Sequence, residues 1–185
     1  MTSPLRVPVF FERWQIECCG TPPAIGDRVD WGLVFDSPDP GADRDPIGDA
    51  ELDAVAVPVR WDGPGQLSAT RLEAGGLHAY WRNPDGRTGP LRLSGRLINE
   101  RHGGRPDGLP RTVGDIARVR IITRQWVEVA TRSYRPGPER PRYRDVGRSP
   151  KFFPNNYPYP PGSYWGEDGV VVDLVVDGPV QAGGF

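Results

Sequence analysis

Two adjacent cysteines, Cys18 and Cys19, carry the most distinctive chemistry in this sequence. Thiolates bind soft metal ions and react with oxidants. A closed zinc site takes four ligands, and the chain offers His78 and His102 as its two histidines. A strand through residues 9–19 would point Cys18 inward and Cys19 outward, which argues against one ion binding both thiols. We therefore predict no metal site and no cofactor, and these four side chains are weak candidates for a metal or redox centre.

The sequence lacks the common catalytic motifs. It contains no Gly-x-Ser-x-Gly elbow, no phosphate-binding Gly-x-x-x-x-Gly-Lys loop and no His-Glu-x-x-His pair. Its 24 acidic residues include no pair that spacing alone selects for acid and base roles. The sequence therefore favours a protein that is not an enzyme. The alternative is a small enzyme or a thiol or metal sensor centred on Cys18 and Cys19.

Positive charge is concentrated in residues 132–151, where arginines alternate with tyrosines. The basic and aromatic residues of this segment are Arg132, Tyr134, Arg135, Arg140, Arg142, Tyr143, Arg144, Arg148 and Lys151. Guanidinium groups neutralise phosphates, and aromatic rings stack on unpaired bases, so single-stranded nucleic acid is a possible partner. The isoelectric point near 6.1 is low for such a binder. Arg140, Arg142, Tyr143 and Arg144 are the candidate binding residues here.

Residues 151–161 form a second unusual segment, rich in proline and aromatic side chains. Proline restricts the backbone, so an extended ribbon of this kind docks onto a protein partner at low entropic cost. This interpretation adds Phe153, Tyr157 and Tyr159 to the candidate partner-binding residues. The alternative is that these rings fold back as a plug over the open side of the domain. The leading hypothesis is a binding or assembly module that uses residues 132–165 to bind a protein, with nucleic-acid binding as the alternative.

Charge is distributed unevenly along the chain, although the formal net charge is −1. Residues 1–100 carry 10 basic and 15 acidic groups, whereas residues 101–151 carry 13 basic and 5 acidic groups. Such asymmetry is typical of a protein with an anionic partner, and equally of a domain whose two charged regions pair with each other. All but one of the 23 basic residues are arginine, a bias that indicates a GC-rich genome.

Strands must position these side chains, because 24 Gly and 22 Pro leave little room for long helices. Period-two patterns and turn residues predict strands near 9–19, 29–36, 55–61, 77–81, 91–97, 112–130 and 170–176. In 112–130 a helix is the alternative, but β-branched residues favour a strand. The regular spacing predicts a single all-β domain over residues 1–185, a partly open β-barrel or a sandwich. Pairing of the first and last strands would favour closure of a barrel.

Two long segments interrupt this pattern. Residues 36–53 are predicted to be an acidic, solvated loop, because their carboxylates lack the spacing of a calcium-binding loop. Residues 132–165 show no convincing periodicity and are predicted to be a long loop rich in Pro, Arg and aromatic residues. Such long excursions from a small domain are usually functional.

The N-terminal segment resembles a known family. Trp14 is followed by a Cys-Cys-Gly-x-Pro turn at 18–22 and by Gly-Asp-x-Val-x-Trp at 26–31. This pattern is similar to the opening of a family of small uncharacterised proteins of high-GC bacteria. The resemblance covers roughly the first 35 residues and implies no activity, substrate or catalytic residue.

The sequence predicts a cytoplasmic protein without a membrane partner. No run approaches the ~18 apolar residues of a membrane span, and the N-terminal segment lacks the pattern of a signal peptide. The two cysteines are adjacent and would close only a strained ring, which fits a reducing compartment.

Overall fold

The computed structural model describes residues 4–37, 47–59, 69–83, 85–106, 108–154 and 159–178. Within these ranges 62% of the residues are in strands and 4% in helix, which confirms the all-β prediction. The elements in chain order are β1 (Arg6–Glu12), α1 (Arg13–Cys18), β2 (Arg28–Trp31), β3 (Leu33–Asp36), β4 (Asp49–Val59), β5 (Ala69–Ala74), β6 (Leu77–Arg82), β7 (Gly89–Asn99), β8 (Thr112–Ala130), β9 (Ser133–Pro136), β10 (Arg142–Val146) and β11 (Ser163–Val176).

Five of the strands close a barrel. β7 pairs with β3, β3 runs parallel to β6, and β6, β5 and β4 follow as antiparallel neighbours. The ring closes where β4 returns to β7 over residues 49–56. Gly95 of β7 is required at this seam, because a Cβ there would lie 2.5 Å from the Phe35 ring.

The remaining strands extend a sheet outside the barrel. β1 joins it to the barrel through parallel pairing of Val9 and Phe10 with Leu97 and Ile98 of β7. β1 pairs antiparallel with β11, and β11 pairs with β8 along most of its length. The expected pairing of the first and last strands is therefore confirmed. It lies outside the ring, however, because the contact between β4 and β7 closes the barrel.

One large cluster of buried apolar side chains spans both parts. It includes Leu72 and Trp81 of the barrel together with Val119, Val172 and Leu174 of the outer sheet, all at most 1% exposed. A smaller cluster, formed by Phe10, Ile47, Ile122 and Val171, packs on the other face of the outer sheet. Both faces of β11 are therefore covered, which accounts for its nearly continuous apolar sequence.

The predicted strand over 9–19 is wrong beyond Glu12, where the chain turns into the short helix α1. Arg13, Gln15 and Glu17 favour helix over strand, and Arg13 Nε forms an i,i+4 ion pair with Glu17 Oε1 at 2.9 Å. Alternation over so few residues does not distinguish a strand from a single buried helical turn.

The predicted acidic loop is wrong over residues 49–53, which form the start of β4. Acidic residues at 49, 51 and 53 alternate with Ala50, Leu52 and Ala54, and the last two are buried, so the period-two pattern of a strand is present there. Residues 38–46 of the predicted loop lie outside the described residues.

The predicted long loop over 132–165 is wrong as well, since it contains β9, β10 and the start of β11. β8 is 19 residues long, and its second edge must find hydrogen-bonding partners. That edge is covered in succession by β2, β10 and β9. β9 and β10 are short and largely polar, so they carry no hydrophobic alternation in the sequence.

Candidate functional site

β10 brings the predicted arginine and tyrosine residues to an edge of the outer sheet. It pairs with residues 119–123 of β8, and among the described residues no further strand pairs with it. Its first four side chains are exposed and Val146 is half-buried. Charged side chains and short length are the usual protection of an edge strand. We call these four consecutive exposed residues, 142–145, the β10 edge.

One face of the β10 edge carries Tyr143 and Asp145, which lie opposite Ile122 and Arg120 of β8. The Arg120 guanidinium lies 5.5 Å from the centre of the Tyr143 ring. Asp145 accepts two hydrogen bonds from Arg118, at 2.5 and 2.9 Å. This pairing lowers the pKa of Asp145 and holds the carboxylate in its charged form.

The opposite face carries Arg142 and Arg144. The Arg142 guanidinium lies 3.8 Å from the centre of the Trp165 ring, and Arg144 Nη2 donates to Glu167 Oε1 at 2.9 Å. Arg140 is exposed just before β10 and forms no ion pair with a described residue. The four candidate residues thus lie in one stretch but differ in their contacts. Arg144 forms an ion pair, Arg142 and Tyr143 take part in cation–π contacts, and Arg140 forms no ion pair with a described residue.

Three tyrosines form a cluster at the far end of the outer sheet. The ring centres of Tyr134, Tyr159 and Tyr164 lie 5.1 to 5.4 Å from one another. The Tyr134 hydroxyl donates to the Pro160 carbonyl at 3.2 Å. Partial loss of hydration raises the pKa of Tyr134 and of Tyr164. Tyr159, a predicted binding residue, therefore belongs to a packed cluster and is 43% exposed. Tyr157 lies outside the described residues.

Phe153 occupies the core and not the surface. It is 5% exposed, and its backbone N–H donates to Glu17 Oε1 at 3.0 Å. The Arg13 guanidinium lies 5.9 Å from the centre of its ring. A partner cannot reach this ring without opening the packing against α1. Phe153 thus folds back onto the domain, as the plug alternative predicts for the rings of this segment. Its neighbour Phe152, in contrast, is 72% exposed.

A second arrangement, which we call the thiol corner, lies at the end of α1. Cys18 and Cys19 are free and exposed. Cys19 Sγ lies 3.2 Å from Nε2 of His102. One donor atom from each of these three residues lies within 4.8 Å of the others. The expectation that the two thiols point to opposite faces is wrong, because a helical turn replaces the strand on which it rested.

The residues around the thiol corner hold it in place. The Trp14 ring packs against the His102 ring with centres 4.7 Å apart, and the His102 backbone N–H donates to Glu100 Oε1 at 2.5 Å. Loss of hydration, followed by the hydrogen bond and charge of Cys18, raises the pKa of Cys19. The positive charges of Arg101 and Lys151 act in the opposite direction.

His78 does not join the thiol corner. It lies in β6, where its backbone N–H donates to Thr112 Oγ1 at 2.9 Å and its carbonyl accepts from the same hydroxyl at 2.8 Å. Burial lowers the pKa of its imidazole. Three of the four weak metal candidates are therefore together, and the fourth has a separate structural setting.

A shallow depression of about 550 Å³ lies on the outside of the barrel between β4, β5 and β7. Its lining includes Asp53, Glu73 and Arg92, and it contains none of the residues predicted from the sequence. It is wide open to solvent and does not enclose a ligand as a small-molecule cleft does, so it does not compete with the β10 edge or the thiol corner as a candidate site.

A family model matches residues 5–176, from the start of β1 to the end of β11. The chain belongs to this family, described as Family of unknown function (DUF6578). Membership therefore extends far beyond the first 35 residues, and both the β10 edge and the thiol corner lie within the matched range. No curated protein and no solved structure matches the chain. Among the described residues, α1 is six residues long, and no helix has the length and apolar character to cross a membrane.

Proposed function

We propose that this member of the DUF6578 family is a non-catalytic binding module that recognises an extended, acidic segment of a protein partner along the β10 edge. The observation that carries the proposal is the position of β10, a short strand of exposed basic and aromatic residues with β8 as its one neighbour among the described strands.

An edge strand offers backbone hydrogen bonds to a partner. In an antiparallel ladder, alternate residues bond to the neighbouring strand, and the residues between them direct their N–H and C=O groups away from it. A partner segment in extended conformation satisfies these groups by adding one more strand to the sheet. The side chains on alternate positions of β10 then select the sequence of the partner.

The charges at the β10 edge favour acidic side chains in that partner. Arg142 and Arg140 are exposed and form no ion pair with a described carboxylate. The Trp165 ring orients the Arg142 guanidinium, which reduces the conformational entropy lost when it binds a carboxylate. Asp145 does not repel an acidic partner strongly, because Arg118 compensates its charge. Arginine and tyrosine are also the residue types enriched where protein interfaces are strongest.

The same contacts disfavour nucleic acid. Arg118, Arg120 and Arg124 of β8 form ion pairs with carboxylates of the chain, and so does Arg144 of β10, at 2.5 to 3.1 Å. A phosphate backbone would have to displace these carboxylates and meet their charge. The sequence contains many arginines, but those paired with carboxylates are less available to bind phosphates than their number suggests.

A labelled peptide of alternating Glu and Val residues tests the proposal by fluorescence anisotropy with the full-length protein. We expect binding that a peptide of alternating Lys and Val does not reproduce. N-methylation of one set of alternate peptide amides should abolish binding, and N-methylation of the other set should leave it nearly unchanged, because an added strand uses every second amide. Equal loss with both sets would contradict strand addition.

Variants connect the binding to β10. Arg142→Glu and Arg140→Glu should each weaken the acidic peptide by about tenfold, the factor that corresponds to one lost charged contact. Arg82→Glu, at an exposed arginine of β6, is the matched control and should bind like the wild type. A single-stranded oligonucleotide that binds with steep salt dependence, while the acidic peptide does not bind, would overturn the proposal in favour of nucleic acid.

We also propose that the protein works in the reducing cytoplasm of a bacterium. The support is the pair of free, exposed thiols of Cys18 and Cys19, which an oxidising compartment would tend to modify. Mass determination of the protein isolated under thiol-trapping conditions checks this. Two trapped thiols are expected, and a disulfide in the freshly isolated protein would contradict it.

A further inference from the structure

We infer that Cys18, Cys19 and His102 form a binding site for one zinc ion, with the fourth coordination position open to water. The inference is independent of the β10 edge and concerns a different corner of the molecule. It rests on three donor atoms that lie close together in the structure. In the sequence, His102 is 83 residues from Cys19, and the strand pattern predicted the two cysteines on opposite faces.

The backbone brings the two thiols to the same side. α1 ends at Cys18, and the N–H groups of Cys19 and Gly20 both donate to the Gln15 carbonyl, at 3.4 and 2.7 Å. A Cβ at position 20 would lie 2.7 Å from that carbonyl oxygen and 3.0 Å from Ile16 Cα. Glycine at position 20 therefore allows the tight turn that closes the helix and presents both sulfur atoms together.

The distances suit zinc. With Zn–S bonds of about 2.3 Å and Zn–N bonds of about 2.0 Å, the donor atoms of a tetrahedral site lie roughly 3.5 to 3.8 Å apart. Cys19 Sγ and His102 Nε2 are 3.2 Å apart, and all three donors lie within 4.8 Å of one another. Small rotations of exposed side chains are sufficient to complete the geometry.

The surrounding residues limit the reorganisation that binding requires. Trp14 lies one helical turn before Cys18 and packs its ring against the His102 ring. The backbone of His102 is held by Glu100, and Lys151 Nζ donates to the carbonyls of Ile16 and Gly20 at 2.6 and 3.0 Å. Lys151 thereby connects the last turn of α1 to the turn that follows it, the segment that carries both cysteines.

The donor set and its exposure define the kind of site. Two thiolates and a neutral imidazole compensate the charge of one Zn²⁺ ion, and this mixture of sulfur and nitrogen donors is typical of zinc. All three residues are exposed, so solvent reaches the remaining coordination position. Three protein ligands with an accessible fourth position are the arrangement of an exchangeable or reactive zinc ion and not of a buried structural one.

Cobalt substitution in the reduced, full-length protein tests the inference. We expect one Co²⁺ per chain, with the visible bands of a tetrahedral centre and a thiolate-to-cobalt charge-transfer band, and displacement of the cobalt by one equivalent of Zn²⁺. The spectrum of a six-coordinate ion without charge transfer would overturn the assignment.

Variants at the exposed ligands separate this site from general metal binding. Cys18→Ser, Cys19→Ser and His102→Asn should each weaken zinc binding by at least about tenfold and remove or weaken the charge-transfer band. His78→Asn, the matched control at the other histidine, should bind zinc like the wild type. Wild-type zinc affinity in the double variant Cys18→Ser, Cys19→Ser, or an equal loss in His78→Asn, would refute the site. Circular dichroism of each variant shows whether it is folded, and binding of the acidic peptide reports separately on the β10 edge.

Discussion

At the scale of single residues, Phe152 and Phe153 have opposite environments although they are adjacent. Phe152 is 72% exposed, and Phe153 is 5% exposed within the large core cluster. We expect Phe153→Ala to lower the free energy of unfolding by about 3–5 kcal/mol, because it removes a buried ring and leaves a cavity. Phe152→Ala is the control and should change it by less than about 0.5 kcal/mol. Urea unfolding measures both values, and similar effects of the two variants would show that Phe153 is not a core residue.

His78 provides a pH-dependent contribution to stability. Burial lowers its pKa below the ordinary value of 6.5, although the charge of Glu73 acts to raise it and that of Arg71 to lower it further. Below that ordinary value the unfolded chain binds the proton more readily, so the free energy of unfolding falls as the pH falls toward the folded-state pKa. Above it, this histidine contributes no pH dependence.

The corresponding prediction is that His78→Gln reduces the acid sensitivity of the protein. Urea unfolding at about pH 8 and at about pH 5.5 brackets the ordinary histidine pKa. The wild type should lose more stability between the two pH values than the variant does. Equal losses in the two proteins would mean that another group causes the pH dependence. Because each protein is compared with itself at the two pH values, any effect of the substitution on packing that does not depend on pH cancels.

At the scale of elements, Glu128 connects β8 to the two segments that follow it. Its carboxylate accepts hydrogen bonds from the backbone N–H groups of Arg132 and Gly162, each at 3.1 Å. Arg132 has a positive φ of 60°, an unfavourable conformation for a residue with a side chain, so this bond helps to hold the turn into β9. The two hydrogen bonds lower the pKa of Glu128.

Glu128→Gln should therefore loosen both segments without unfolding the protein. Amide hydrogen exchange at Arg132 and Gly162 should accelerate severalfold at neutral pH, where the carboxylate is charged and its hydrogen bonds are strongest. The difference from the wild type should shrink below the ordinary glutamate value of 4.5 and disappear only once the pH falls through the lowered pKa of folded Glu128, since protonation removes the same charge. Glu139→Gln, at an exposed glutamate of the loop before β10, is the control, and faster exchange at Arg132 in that variant would contradict the role of Glu128.

The elements also show where sequence patterns are informative. β8 was predictable over its whole length, because β-branched residues dominate it, and the apolar run of β11 predicted the closing strand. β10 was not predictable, because it forms by pairing with β8 and its exposed Arg and Tyr side chains show no hydrophobic period. The thiol corner was missed for a local reason, because apolar residues at 14, 16 and 18 fit the period of two of a strand, while 14 and 18 also have the i,i+4 spacing of a helix. His102 approaches it from a loop 83 residues away, and tertiary structure alone brings the two together.

At the scale of the whole molecule, the barrel and the outer sheet share a core although few backbone hydrogen bonds connect them. The parallel pairing between β1 and β7 involves two residue pairs. The buried side chains nevertheless form one cluster, which includes Leu72 of β5 in the barrel and Leu174 of β11 in the outer sheet, each with no exposed surface. Burial of a continuous apolar surface makes the stability of either part depend on the other.

The chain should therefore unfold in one cooperative transition. Leu72→Ala and Leu174→Ala form a matched pair, the same substitution at equally buried sites in the two parts, and each should lower the free energy of unfolding by about 2–5 kcal/mol. Both variants should shift the intrinsic tryptophan fluorescence and the far-ultraviolet circular dichroism to the same new midpoint. Two transitions, with Leu174→Ala moving one and Leu72→Ala the other, would show that the barrel and the outer sheet are separate folding units. A single shifted transition means that a partner bound at the β10 edge stabilises the barrel as well, because binding to the folded state alone raises the stability of the whole cooperative unit.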